Sequence, residues 1–581
     1  MPKPFTTCLL FTLLVGAAFA QPAPRPAPAA APSPVEAADL VLTRGAVYTV
    51  NPRQPWATAV AVRAGRIVYV GDDQGARPYT GPHTRVMNLK GRMVLPGFID
   101  SHIHPAGGMS LSQVKLEQVF NRGEVARRIR AYAQANPQAP WVLGRGWEAG
   151  AFKPSGIPDR HLLDSLVPDR PAFLSASDGH TGWANSRALA LAGIARTTPD
   201  PANGIVGKDA AGEPNGVLYE SAIDLVSRHI PRLTPEDRRR GNRLFLQALR
   251  EAGVTGIMDA GADAGTDSAF AALARAGELT VQMTICQRYD AGGNDSVQVA
   301  RFVERRSQLG AGNPRATAIK IMLDGIIEQY TGRLLQPYLD RPDTRGPLFV
   351  AQARLDQLVA RLDRLGFQLH FHTIGDGAVR AALDALAAAQ RANGVRDSRH
   401  ILSHVQLIDP ADIARLPELG VIASMTPAWS RGDDLNRTFA EPRLGPERSR
   451  WLYPHRSILD AGGRLAWGTD WPVTTLVPLQ GIETAVTRRY NGGRDPEGKP
   501  DAAWIPQECL SLEQAIAAYT LGSAYALFLE KDCGSVEAGK RADLVVLEKN
   551  LFKIPALEIH TVPVDYTIAG GKVVYERKAG K

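Results

Sequence analysis

Cysteine and long apolar runs are scarce in this sequence. Four cysteines occur among 581 residues, and the three after residue 20, Cys286, Cys509 and Cys533, stand far apart. Their spacing excludes a zinc-finger pattern and a dense disulfide framework. It favours buried free thiols, with one disulfide left open for an oxidising compartment. No segment reaches the roughly 18 consecutive apolar residues of a membrane-spanning helix.

Concentrated basic charge is also lacking. Lysine and arginine outnumber aspartate and glutamate by 67 to 59, a net charge of +8. Basic clusters such as residues 238–240 fall on predicted helix surfaces, and they do not alternate with aromatic residues. Nucleic-acid-binding domains usually show a basic patch or stripe with such features. The sequence therefore predicts no nucleic-acid partner, and a polyanion-binding module has only the net charge in its favour.

The first residues have the pattern of a secretory signal. A basic Lys3 precedes an apolar stretch that ends at Ala17, and "AFA" at 18–20 fits the small-x-small cleavage rule. We expect a signal peptide over 1–20 and a periplasmic or secreted protein without membrane attachment after cleavage. Residues 21–38 are rich in proline and alanine, which predicts an extended linker.

Short apolar strands alternate with helices through the middle of the chain. We predict strands at 94–100, 253–259, 280–287, 317–323, 367–372, 400–405, 420–426 and 464–469. Eight such units predict an α/β fold, a (β/α)8 TIM-like barrel over 93–534, with an insertion after its first strand at about 106–240. Alternating segments at 39–92 and 535–577 predict a small β-sandwich built from both termini. Ser511 and Gln514 have the spacing of a capping box at the last barrel helix.

Polar side chains occur at the ends of five predicted strands. They are His102 and His104 after strand one, Lys320 on strand four, His372 on strand five, His404 on strand six and Asp470 after strand eight. The carboxyl ends of barrel strands meet at one face, where active sites form. Burying each group without a partner costs about 1–3 kcal/mol, whereas imidazole and carboxylate groups are good zinc ligands. A lone core histidine, capping aspartate or buried lysine is commonplace, but their conjunction favours a metal centre.

Several motifs resemble those of one enzyme superfamily. They are "VLPGFIDSHIHP" (94–105), "HTIGDGAVRAALDAL" (372–386), "GTDWPV" (468–473) and "GSVEAGKRADLVVL" (534–547). Together they resemble the YtcJ-like branch of the amidohydrolase superfamily, amidohydrolase family 3, which includes N-substituted formamide deformylases. The resemblance covers about 39–575. The sequence departs from the pattern at Ile326-Ile327 and in an additional upstream histidine, His370.

The resemblance implies a metal-dependent hydrolase that acts on carbon–nitrogen bonds of small non-peptide amides, with N-substituted formamides among the candidates. It assigns His102 and His104 to one divalent ion, zinc by preference, and His372 and His404 to a second. Lys320 would bridge two ions as a carbamate, whereas an unmodified Lys320 would leave a single-ion site. Asp470 would be both a ligand and the group that moves the proton. His370 lies one pleat deeper, so we expect it to hydrogen-bond a ligand.

Substrate contacts are predicted in two loops. In the insertion the candidates are Trp147, Trp183 and His180, with the alternative that the tryptophans only anchor the insertion to the barrel. In the loop after strand four the candidates are Tyr330 and Arg333.

Other functions remain as alternatives at this stage. The same metal chemistry would serve hydrolysis of cyclic amides, dipeptides or esters. A catalytically inactive exported binding protein is a remote alternative, because such a protein should have a broken ligand set. The expected partner is a small-molecule amide, and a homo-oligomer is left open.

Overall fold

The computed structural model describes residues 35–578 apart from 118, 177–180, 202–203 and 263, together with Thr7 and Leu10. Most of the predicted signal peptide and most of the predicted linker lie outside the described residues. Within the described part of the chain, no helix combines the length and apolar character needed to cross a membrane.

Eight parallel strands form the central sheet, in the order of the chain. Barrel strands 1 to 8 are Phe98–Ile103, Val254–Ala262, Gln282–Arg288, Arg315–Met322, Gln368–Thr373, Ile401–His404, Ile422–Met425 and Arg464–Trp467. Hydrogen bonds from Asp470 N to His102 O (2.7 Å) and from His104 N to Trp471 O (2.8 Å) join the last strand's exit to the first strand. The predicted TIM-like barrel is therefore confirmed.

Helices cover the outside of this barrel. The main ones are Pro235–Glu251, Ala264–Arg275, Asp295–Leu309, Gln352–Arg364, Asp376–Asn393, Arg415–Glu418, His455–Asp460, Pro478–Thr487 and Leu512–Ala517. Outward-facing strand residues such as Ile285, Ile321 and Phe371 pack in one large core with the helices. Inward-facing Met258, Cys286 and Ala318 belong to a separate apolar layer. This layer fills the lower barrel and leaves the polar side chains at the C-terminal mouth.

The predicted strand at 94–100 is in fact two strands, so this prediction is wrong in its bounds. Met93–Pro96 pairs antiparallel with Leu544–Leu547 of the terminal β-domain, whereas Phe98–Ile103 is barrel strand 1. Gly97 lies between them, where an added Cβ would stand 2.2 Å from the Thr255 hydroxyl oxygen. Hydrophobic periodicity runs through the break because both strands are buried, and Pro96-Gly97 was the only local signal.

Both chain ends build the small β-domain, as predicted. One sheet contains Arg66–Gly71, Ala59–Arg63, Leu40–Thr43 and Arg85–Asn88. The other contains Lys572–Glu576, Val564–Ala569, Leu544–Leu547, Met93–Pro96, Ala46–Tyr48 and Trp56–Ala57. Side chains of both sheets, among them Leu42, Val60 and Val546, form the core between them.

The insertion carries a sheet of its own. Its strands are, in spatial order, Gly204–Lys208, Pro214–Glu220, Thr181–Ala184, Ala172–Ala176, Val142–Trp147 and Val114–Lys115. Its helices are Arg122–Ala135, Arg160–Leu166, Ser186–Leu191 and Ile223–Ser227.

Two local predictions are confirmed. Ser511 accepts a hydrogen bond from the Gln514 backbone, and the Gln514 side chain accepts one from the Ser511 backbone, which completes the capping box. Cys286, Cys509 and Cys533 are free thiols, of which Cys286 and Cys533 are buried as predicted and Cys509 is only half-buried.

Candidate metal centre

Three side chains from distant barrel strands converge at the C-terminal mouth. Candidate ligand atoms of His102, His404 and Asp470 all lie within 4.8 Å of one another. Their residues are only 2%, 3% and 6% exposed, in that order. The closed sheet thus brings strands 1, 6 and 8 to one buried point.

Two of these residues have a strained backbone. His404 has φ 73° and Asp470 has φ 53°, in the left-handed region that side chains other than glycine rarely adopt. Such conformations cost about 1–3 kcal/mol each and concentrate at functional sites. Here the turn directs each side chain from the end of its strand into the mouth.

His104 and His372 border this group. Nε2 of His104 lies 2.9 Å from Oδ1 of Asp470, and Nε2 of His102 lies 3.3 Å from the same oxygen. The ring centre of His372 lies 4.6 Å from that of His404, which lies 4.7 Å from that of His102. The structure therefore brings the four predicted histidines and the predicted aspartate together as one cluster.

Lys320 lies beneath the cluster. Its Nζ is 3.5 Å from Nε2 of His102 and 3.2 Å from the Ser403 hydroxyl oxygen. Burial, which disfavours the charged ammonium, lowers the pKa of Lys320 to about 8. The ammonium form still predominates at pH 7, but the neutral amine is far more abundant than in an ordinary lysine.

Asp324 orients one of the histidines, a role that sequence reasoning missed. Its Oδ1 lies 3.1 Å from Nδ1 of His372. Its two oxygens also accept backbone hydrogen bonds from Arg333 (2.9 Å), Ile374 (3.0 Å) and Gly375 (2.8 Å). The carboxylate fixes the ring and leaves Nε2 of His372 as the nitrogen available to a ligand. The only sequence signal was its position on the inward face of strand 4, two residues after Met322.

Asp100 holds the loop that carries Asp470. Its Oδ2 accepts the Thr469 hydroxyl at 2.6 Å, and its Oδ1 accepts the His102 amide at 3.0 Å. Burial raises the pKa of Asp100 to about 7. Asp100 therefore acts on the loop and on strand 1 rather than within the cluster.

His370 contacts the ring nitrogen of His102 that is not the one near Asp470. Nε2 of His370 lies 2.9 Å from Nδ1 of His102, and its own Nδ1 lies 3.2 Å from the sulfur of Met258. This contact leaves Nε2 of His102, the nitrogen near Asp470, for a metal ion. The predicted hydrogen bond between His370 and His102 is therefore present.

The electrostatics of the cluster suit a divalent cation. Burial lowers the pKa of His102, His370 and His404 well below the ordinary value, so these imidazoles are neutral. Burial acts to raise the pKa of Asp470, but the hydrogen bond from His104 and the positive charge of Lys320 act in the opposite direction, and the net shift is downwards. Nδ1 of His404 is buried without a hydrogen-bond partner among the described residues. Neutral imidazoles, an ionised carboxylate and an unpaired buried nitrogen fit a zinc-like ion.

The two candidate tryptophans lie in the core of the insertion. Trp147 and Trp183 are 3% and 0% exposed. The indole N–H of Trp147 donates to Leu174 O (3.0 Å), and that of Trp183 donates to Asp159 O (3.2 Å). This placement favours the anchoring alternative that the sequence left open. His180 lies outside the described residues.

The loop after strand 4 holds the remaining candidates. The Tyr330 hydroxyl donates to Asp340 (2.7 Å), and the guanidinium groups of Arg341 and Arg443 lie over its ring. Arg333 donates from its side chain to Gly346 O (2.9 Å). Both side chains have partners within the loop, so a contact with substrate stays a prediction.

The barrel and its polar mouth define a metal-dependent hydrolase architecture, and a comparison with known families agrees. The model of the amidohydrolase family (Amidohydro_3) matches residues 85–575. The chain belongs to the amidohydrolase family.

Two curated relatives are similar over nearly their whole length. N-substituted formamide deformylase of Arthrobacter pascens is 30% identical, over 93% of this chain and 98% of the relative. The putative amidohydrolase YtcJ of Bacillus subtilis is 29% identical, over 92% of this chain and 98% of the relative. The predicted YtcJ-like resemblance is therefore confirmed.

One solved structure has the same architecture. An uncharacterized metal-dependent hydrolase from Pyrococcus furiosus superposes with a TM-score of 0.67 at 25% identity, covering 88% of this chain and all of that one.

Proposed function

We propose that the protein hydrolyses carbon–nitrogen bonds of small non-peptide amides, with N-substituted formamides among its substrates. The observation that carries this proposal is the buried convergence of His102, His404 and Asp470. The relatedness to the Arthrobacter pascens deformylase supports the bond class. The N-terminal signal pattern supports a periplasmic or secreted location.

The proposed metal ligands are His102, His104, His372, His404 and Asp470, for one or two zinc ions. A bound divalent ion supplies Lewis acidity and lowers the pKa of a water molecule towards 7, about the value for zinc. The chain's own contribution is orientation. His370 and Asp324 each occupy the far nitrogen of a ligand imidazole and fix its ring.

Asp470 is the proposed proton carrier. Its Oδ1 lies at the centre of the cluster, close to both His102 and His104. It would take a proton from the attacking water and return it to the nitrogen of the departing amine. A carboxylate with a lowered pKa starts this cycle in the ionised form that a base requires.

The chemical state of Lys320 determines how many metal ions the proposed site holds. Its uncharged amine can add carbon dioxide and release a proton, which yields an anionic carbamate with two oxygen ligands. Such a group would supply anionic oxygen ligands for two divalent cations. We therefore propose a carbamylated Lys320 and two ions per chain, with one ion per chain as the outcome if labelled bicarbonate does not attach to Lys320.

Metal analysis combined with a substrate panel tests the function. The panel contains N-formyl and N-acyl amines. It also contains cyclic amides, dipeptides and esters, the substrates of the alternative activities. We expect Asp470→Asn to keep near-normal metal while its turnover falls by about 10²- to 10⁴-fold, because the proton carrier is lost.

The control is the double variant His102→Ala/His104→Ala, which should lose at least one ion per chain. Full turnover in Asp470→Asn would refute the proton-carrier role. Unchanged metal in the double variant would mean that the ligands are misassigned, and hydrolysis of esters alone would refute the bond class.

A further inference from the structure

An exposed arginine lies at the end of barrel strand 3. Arg288 is the last residue of the strand Gln282–Arg288, and it is exposed. No hydrogen bond, ion pair or cation–π contact connects its side chain to another residue in the described ranges. Arg333 and Arg354, by contrast, have such partners.

The alternation of strand 3 directs Arg288 into the barrel mouth. Cys286, two residues earlier, faces the interior, where its sulfur lies 3.8 Å from Nδ1 of His370. Gln287 faces outward and donates to Phe302 O of a covering helix at 3.1 Å. Side chains of a strand alternate between the two faces, so Arg288 is on the interior face, one pleat nearer the mouth than Cys286.

Arg288 is therefore a neighbour of the proposed metal centre. It is directly opposite Lys320 in the register of strands 3 and 4, and adjacent strands are about 4.8 Å apart. Arg288 is close enough for its positive charge to contribute to the lowered pKa of Lys320. The mouth thus presents an accessible guanidinium beside the reacting centre, and no carboxylate among the described residues forms an ion pair with it.

We propose that Arg288 binds a carboxylate of the substrate, so that the preferred substrates are amides that also carry a carboxylate, such as N-acylated amino acids. The inference rests on the proposed amide hydrolysis and adds the substrate class. A guanidinium offers a planar pair of N–H donors that matches a carboxylate. Its position on strand 3 separates this contact from the metal ligands on strands 1, 5, 6 and 8.

A matched pair of compounds tests the proposal. N-formylphenylalanine and N-formylphenethylamine differ only in the carboxylate. With the metal-loaded enzyme we expect Arg288→Met to lower kcat/KM about 10- to 100-fold for N-formylphenylalanine, the size of a charge-assisted hydrogen bond. The value for N-formylphenethylamine should stay within about twofold of wild type. Arg288→Lys should restore part of the loss, since the charge is kept without the planar fork.

Calorimetric binding of hydrocinnamate separates this inference from the proposed function, because it requires no turnover. We expect its affinity to fall in Arg288→Met and to stay unchanged in Arg391→Met, an exposed arginine on the outer helix Asp376–Asn393. Unchanged hydrocinnamate affinity in Arg288→Met, or an equal loss of kcat/KM for both formamides, would overturn the inference. If wild type hydrolyses neither formamide but Arg288→Met weakens hydrocinnamate binding, the formamide proposal fails and the carboxylate site stands.

Discussion

The barrel mouth and the core of the insertion both bury polar atoms, but they satisfy them differently. In the insertion, the indole N–H groups of Trp147 and Trp183 donate to backbone carbonyls of that same domain. In the mouth, Nδ1 of His404 has no partner among the described residues, and the neutral imidazoles of His102 and His404 lie beside an ionised Asp470. A buried group that the fold has satisfied stabilises the fold, whereas one left open is available to a ligand.

The largest expected effect is a loss of stability in the insertion that leaves activity nearly unchanged. Trp183 is fully buried against Phe152, with ring centres 5.4 Å apart. We expect Trp183→Ala to lower the free energy of unfolding of the insertion by about 3–5 kcal/mol. Activity per folded, metal-loaded molecule should change little. Hydrogen exchange of the insertion and kinetics below its unfolding temperature measure the two effects.

Trp429→Ala is the matched contrast. The Trp429 ring lies over that of His404, 5.3 Å between centres and tilted by 30°, so this variant should lose activity more than stability. The comparison fails if Trp183→Ala loses activity while its hydrogen exchange is unchanged.

A smaller effect is expected behind the metal centre. His370→Phe removes the partner of Nδ1 of His102 and frees the ring to rotate. We expect metal affinity to fall about 10- to 100-fold, as for other residues that orient a ligand. Competition with a chelator measures it directly.

His370→Gln serves as the control, because its amide oxygen can accept a hydrogen bond from His102. It should retain more affinity than His370→Phe. Equal affinity in wild type and His370→Phe would remove His370 from any role in the centre.

The smallest expected effect is on the pH dependence of folding stability. His455 is fully buried outside the cluster, 4.8 Å from Trp467 between ring centres, and burial lowers its pKa well below 6.5. Below pH 6.5 the unfolded chain takes up a proton that the folded chain does not, so stability falls as the pH falls. This one group contributes at most about 1.4 kcal/mol per pH unit.

In His455→Leu the thermal midpoint should therefore drop less between pH 7 and pH 5 than in wild type. The same change at His83, an exposed histidine, should leave the pH dependence unaltered. An identical drop in wild type and His455→Leu would show that His455 titrates alike in the folded and unfolded chains.

Sequence reasoning located all eight barrel strands, because each is a short apolar run between turn residues. It failed at residues 94–100, where two buried strands follow each other across Gly97. It also gave no role to Asp324, because a carboxylate that bonds His372 and three backbone amides acts through contacts between separate loops.

The sequence by itself determined the strand order, the alternation that turns His102, Lys320 and His370 inward, and the kinship with amidohydrolases. These follow from local periodicity and from motifs of contiguous residues. Only the tertiary structure decided that His370 contacts His102, that the tryptophans pack inside the insertion, and that Arg288 has no side-chain partner within the described part of the chain. Closing the barrel sets the distances between strands, and those distances decide which buried polar groups satisfy one another and which remain for a ligand.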